Sequence, residues 1–185
     1  MKIVLHTCCG PCTVYPLEKL RSKGMTVQGF FFNPNIHPFQ EFKRRLTALD
    51  ELALQMDFPA EIIREYGLRD YLQQVVPHED QRCSICYEMR LVRAVKYAAH
   101  VGADAFTTTL LYSKYQKHSR ICEIANKLGQ QYKIPFYYED FREGWQAGID
   151  KSIDMGLYRQ PYCGCIYSEQ ERYDKKWQKQ QRERR

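Results

Sequence analysis

Apolar residues run unbroken from Ile3 to Leu5, which predicts a short strand, Lys2–His6, buried on both faces. The next stretch, "CTVYPLEKLRSKG", puts Leu17 and Leu20 on one helical face and stops at Gly24, with Pro16 fitting only within a first helical turn. "MTVQGFFFNPN" is strand-like and ends in an Asn-Pro-Asn turn. In "HPFQEFKRRLTALDELALQMD", Phe42, Leu46, Leu49, Leu52 and Ala53 recur at helical spacing. "FPAEIIREY" predicts a third strand, "LRDYLQQVV" a short helix, and "SICYEMRLVRAVKYAAHVG" a longer helix ended by Gly102. A fourth strand, "ADAFTTTLL", a helix, "SRICEIANKLGQQY", and a fifth strand, "IPFYYEDF", follow; from Arg142 the pattern is irregular and then helical. There is no internal repeat and no low-complexity linker.

Strands alternating with helices predict a Rossmann-like α/β fold, a parallel sheet of about five strands flanked by helices. Ligands of such sheets bind beyond the carboxyl ends of the strands, at a switch in strand order. With the order 3-2-1-4-5, strands one and four are neighbours. The segment "HTCCGPC" after strand one and "TTTLLYSKYQKH" from strand four then face one shared crevice.

The 185 residues suffice for one core. They are read as a single α/β domain, 1–185, whose C-terminal extension, 142–185, carries the last cysteine pair and a basic tail. No apolar run approaches the roughly 20 residues of a membrane helix, and "MKIVLHTCCG" is too short in its apolar part for a signal peptide. The expected location is the cytoplasm, away from membranes, where thiols stay reduced. Net charge is +6 and the end, "DKKWQKQQRERR", is strongly basic, which favours polyanionic partners, nucleic acid above all.

Reduced thiols change the meaning of the eight cysteines. In a cytosolic chain, clustered cysteines bind metal or do redox chemistry more often than they pair. Seven fall into three groups, Cys8/Cys9/Cys12, Cys83/Cys86 and Cys163/Cys165; Cys122 stands alone and reads as an inert core thiol. Seven thiolates exceed the four of a zinc site or an ordinary [4Fe–4S] cluster, so they suggest two centres, or one centre and a reactive pair. Glycine between Cys163 and Cys165 permits a turn that points both sulfurs inward. His6 is read as a core histidine or a donor to a sulfur. Two alternatives stay open: a dithiol–disulfide oxidoreductase built on Cys9-Gly-Pro-Cys12, and a zinc-stabilised RNA-binding module. No G-x-x-x-x-G-K-[ST] or G-x-G-x-x-G loop is present, which leaves nucleotide chemistry of those kinds unsupported.

Taken together, "LHTCCGPC", "FFFNPNIHPFQEFKRR", "RCSICYEMRL", "TTTLLYSKYQKH" and "YRQPYCGC" resemble the cobalamin-independent epoxyqueuosine reductases, the QueH family, in the same order and across the span from His6 to Cys165. The resemblance implies reduction of the epoxide of epoxyqueuosine in the tRNA anticodon to give queuosine. It implies a [4Fe–4S] cluster beside an additional iron ion, and a fold similar to the ATP-pyrophosphatase-like group, whose Ser-Gly-Gly loop this chain lacks. Carried over by position, Cys9, Cys83, Cys86 and Cys163 would hold the cluster. Cys8, Cys12 and Cys165 would lie nearest the iron, and Cys12, an aspartate in some members, would be a ligand of the second metal.

Such a reduction takes two electrons, drawn from an external electron donor, and two protons. The proton donors considered are His118 foremost, Tyr112, Lys114 and Asp140. A modified base in an RNA loop calls for aromatic stacking and phosphate-holding cations. His37, Phe39, Arg44 and Arg45, then Lys114 and Lys117, and Arg159 beside Gln160 fit that description. Lys43, Arg44 and Arg45 equally fit a solvated helix face.

Overall fold

Four parallel strands form one sheet in the order β3-β2-β1-β4, with β1 at Lys2–His6, β2 at Thr26–Phe31, β3 at Ala60–Ile62 and β4 at Ala105–Thr108. The computed structural model describes residues 1–183; Arg184 and Arg185, the end of the predicted basic tail, lie outside the described residues. Ile3, Val4 and Leu5 are fully buried because β1 is central and helices cover both faces. His6 is level with Phe30 on β2 and with Thr108 on β4. The carboxyl ends of β1 and β4 therefore finish side by side, and the Cys8 N–H donates to Thr109 Oγ1 at 3.0 Å.

Among the described residues there are eight α-helices: α1 (Gly10–Ser22), α2 (Phe39–Gln55), α3 (Leu68–Val75), α4 (Arg82–His100), α5 (His118–Tyr132), α6 (Trp145–Asp154), α7 (Ile166–Tyr173) and α8 (Lys175–Glu183). α1 rests on β2, α2 and α6, while α4 rests on β1, β4 and α5. Gly10 sets the start of α1, for a Cβ there would come within 2.6 Å of the Ala48 carbonyl oxygen on α2. Among the described residues no helix is long and apolar enough to cross a membrane.

The sheet has four strands where five were expected. The segment "IPFYYEDF" contributes one parallel bridge, Phe136 to Phe106, with Phe106 N–H donating to Pro135 O and Tyr137 N–H to Phe106 O. Pro135 has no N–H for a ladder, Lys133 before it is left-handed, and Asp140 after it caps a 3₁₀ turn at Phe141–Gly144. β4 is also shorter than predicted. Thr108 Oγ1 accepts from Leu110 N–H and turns the chain into a 3₁₀ segment, Thr109–Tyr112. Pro16 lies well inside α1 rather than in its first turn, so the Cys12 carbonyl has no intrahelical donor at that position. The region after Arg142 resolves into α6, α7 and α8.

Candidate metal centre and catalytic cavity

Strand β1 delivers Cys8 at its exit, Cys9 in extended conformation as the N-cap of α1, and Cys12 in the first turn. Thr13 Oγ1 donates back to Cys9 O at 2.7 Å and fixes that cap. The three sulfurs lie within 4.8 Å of one another, Cys8 Sγ and Cys9 Sγ at 3.8 Å. The opening N–H groups of α1 favour negative charge there. The Cys8 thiol is held well below its ordinary value because Cys12 and Cys9 donate to its sulfur, with Thr109 and the Arg90 charge adding to the effect. Burial drives Cys9 upward, and donation to Cys8 drives Cys12 upward.

The second set also sits at helix starts. Cys83 and Cys86 occupy the first turns of α4, and Cys165 caps α7, its Sγ accepting from Ser168 N–H at 3.4 Å. Cys86 and Cys165 pack together with Tyr71 and Val75, and burial pushes Cys86 up to about 12.

The segment from Gln160 to Cys165 joins the two sets. Gln160 Nε2 donates to Cys9 Sγ at 2.9 Å and to Cys12 Sγ at 3.3 Å, and Gln116 Nε2 donates to Cys163 Sγ at 3.2 Å. Arg45 holds this segment from below. It is ion-paired with Glu41 at 2.7 Å and donates to Cys163 O at 2.8 Å and Tyr162 O at 3.0 Å. Tyr158 donates to the other Glu41 oxygen, Tyr162 donates to His37 O, and His37 N–H donates to Gly164 O. Gly164 has φ of +147°, and a Cβ there would press on Asn35 Nδ2 and Arg45 Nη1.

A cavity of about 610 Å³ opens over these groups, lined by Cys8, Cys12 and Cys163 together with Arg90, Tyr112 and Gln116. Tyr115, Trp145 and Arg159 line it as well. Tyr115 is 85% exposed and meets Trp145 edge-on, and Lys114 lies over the Trp145 ring.

The residues singled out in the sequence separate by position. Tyr112 lines the cavity, donates to Trp145 O at 2.7 Å, and is pushed upward by burial. His118 and Asp140 lie beside Tyr138 and Arg142 and do not line that cavity. Asp140 is chelated by Arg142, which draws its carboxyl down to about 2; burial lowers His118. His37 and Arg45 are buried and bonded within the fold, whereas Arg44, Lys114, Lys117 and Arg159 are exposed. Cys122 sits on α5 near Asp140 and Arg142, away from the other seven cysteines. Cys9 stands with Cys8 and Cys12 in one group of sulfurs. Arg90, Gln116 and Trp145 were not singled out from sequence; a helix-interior arginine and a loop glutamine carry no local signal of facing a cavity.

A family model described as epoxyqueuosine reductase QueH matches residues 3–171. An epoxyqueuosine reductase QueH of Dehalococcoides mccartyi is 39% identical over 176 residues, 94% of this chain and 96% of that one. One from Thermotoga maritima is 31% identical over 184 residues, 94% of this chain and 93% of that one. Among solved structures, an NH3-dependent NAD synthetase from Campylobacter jejuni in complex with the nitrate ion aligns at 14% identity and TM-score 0.41, covering 93% of this chain and 83% of that chain.

Proposed function

Because the chain belongs to the epoxyqueuosine reductase QueH family, oxidoreductases of tRNA modification, we propose that it reduces epoxyqueuosine in the anticodon loop of tRNA to queuosine. The epoxide takes up two electrons and two protons; both C–O bonds break, a carbon–carbon double bond forms and water leaves. The observation that carries this reading is the convergence of three thiols, Cys8, Cys9 and Cys12, at one end of a cavity that Cys163 also lines.

The donor set fits an iron–sulfur cluster and a neighbouring iron, being soft, reduced and gathered at helix starts. Cys8, Cys9 and Cys12 would hold them from one side, and Cys83, Cys86, Cys163 and Cys165 from the other. Bound there, such a centre supplies electrons one at a time and polarises the epoxide oxygen.

The chain's own residues do the rest. Gln160 and Gln116 orient the sulfurs they bond. Tyr112 keeps its proton at neutral pH and lines the cavity; once turned from the Trp145 carbonyl it bonds at rest, its hydroxyl is the proton donor we favour over His118. Asp140, deprotonated beside Arg142, only accepts. Tyr115 and Trp145 offer rings for loop bases, and Arg44, Lys114, Lys117 and Arg159 offer charge for phosphates. Residues 1–185 act as one unit in the cytoplasm, drawing electrons from an external donor.

The test is anaerobic reconstitution with iron and sulfide, reduction, incubation with epoxyqueuosine-containing tRNA, and nucleoside analysis. Brown protein that converts epoxyqueuosine to queuosine is expected. Colourless zinc protein without turnover would point instead to an RNA-binding module. Metal-free protein with one reducible Cys9–Cys12 disulfide and no turnover would point to a dithiol enzyme.

A further inference from the structure

Arg90 is buried at 2% exposure, one helical turn after Cys86 on α4. Its Nε donates to Cys86 O at 3.1 Å and its Nη1 reaches Asn33 Oδ1 at 3.4 Å. Its Nη2 has no partner. Asn33 is turned that way because its Nδ2 donates to Thr7 O at 2.9 Å, which leaves only the amide oxygen for the guanidinium. Both partners of Arg90 are neutral.

Arg45 meets different partners. That arginine is equally buried, yet it is paired with the Glu41 carboxylate and bonded to two carbonyls. Arg90 forms no ion pair with a carboxylate among the described residues. A guanidinium stays charged wherever it is placed, and two neutral acceptors do not offset its loss of water. The side chain lines the cavity with Cys8 and Cys163, and its charge acts on Cys8, Cys86 and Cys163, drawn from both thiol sets. Beyond these two acceptors and the Tyr87 ring, 5.8 Å from its guanidinium carbon, Arg90 faces a cavity that sulfurs from the first and last cysteine groups line.

We infer that Arg90 is the countercharge of the thiolate-held centre, a positioning residue that bridges the two cysteine sets, donates from Nη2 to a sulfur of that centre and raises its reduction potential. This rests on the iron–sulfur reading above. Reduction adds negative charge, so a fixed positive charge and a hydrogen bond to sulfur both favour the reduced form.

The experiment is an anaerobic redox titration of the reconstituted centre, followed by its absorbance, in the wild type, R90M, R90K and N33D. R90M removes the charge at similar length. R90K keeps the charge without the planar fork. N33D leaves Arg90 in place and sets a carboxylate against it. Iron, sulfide and the circular dichroism of the metal-free protein are measured alongside. R90M and N33D are expected to titrate at a more negative potential than wild type, with R90K between them.

Wild-type potentials in R90M and N33D, at wild-type iron and sulfide content, would overturn the inference. Equal shifts in R90K and R90M would also overturn it, because charge would then not be the agent. Loss of the metal-free fold in both Arg90 variants would assign the residue to folding and have the same effect. Where R90M alone loses iron, N33D decides. Wild-type protein that takes up no iron removes both this inference and the iron–sulfur reading, whereas unmoved potentials remove this one alone.

Discussion

The His37 ring lies edge-on to Tyr66 and Tyr71, with Nε2 bonded to the Pro34 carbonyl and Nδ1 without a partner. A second proton would put an unpaired buried donor on Nδ1, and burial lowers this histidine to about 4. The unfolded chain takes that proton near 6.5, the folded one near 4. Stability is therefore complete above about pH 6.5 and is lost as pH falls towards 4, by about 3 kcal/mol from this group. H37Q, compared with wild type by denaturant unfolding at pH 7 and pH 4.5, should lose less on acidification; an identical loss would place the titration elsewhere. At the cavity, Y112F should keep its fold and its iron, giving up about 1 kcal/mol with the bond to Trp145 O. It should slow queuosine formation about 100-fold or more if the phenol supplies the proton, and single-turnover rates equal to wild type would sink that role. The thiols were legible in the sequence because cysteine spacing is itself the signal. Arg90 was not, since a charged residue on an amphipathic helix reads as solvated until the helix is packed. His118 and Asp140 are read from sequence as proton donors by residue type alone, and the structure sets them beside Tyr138 and Arg142.

At the scale of elements, the join between β1 and α1 carries the first three sulfurs, and its geometry depends on how closely α1 approaches α2. G10A would drive a methyl group into the Ala48 carbonyl, and overpacking of that kind costs about 1–3 kcal/mol. Thermal unfolding should show that loss, together with weaker iron retention than a surface variant of equal stability; a neutral effect would mean that α2 yields freely. The β1–α1–β2 unit could be read from the chain because an apolar run, the spacing of Leu17 and Leu20 and a Gly24 stop all agree, although α1 begins at Gly10, two residues before the predicted start. The fifth strand could not, for "IPFYYEDF" has the right composition while Pro135 denies the ladder its hydrogen bond. Pro16 misled in the opposite sense. The packing of α1 on β2, α2 and α6 outweighs the local cost of a proline inside a helix.

Across the whole molecule, the cations at the cavity mouth differ from those buried beneath it. Lys114 and Arg159 are exposed, so a K114A/R159A double variant should weaken tRNA binding at low salt. The slope of log affinity against log salt should fall by about 1 to 2, measured by filter binding across a salt series, with iron content unchanged. A slope equal to wild type would move the RNA footprint to another face. Alternation predicts the parallel sheet, and the order supposed for its first four strands is the one observed, whereas the segment that ties Gln160 to the first sulfurs carries no signal in the sequence. The link between Gln160 and the sulfurs of Cys9 and Cys12 has a consequence for biosynthesis. A polypeptide still emerging from the ribosome has its first strand and first helix long before the segment that reaches back to them. Until that segment arrives the earliest thiols stand open to oxidants and to stray metal, so shielding belongs to the period of translation and loading to its end.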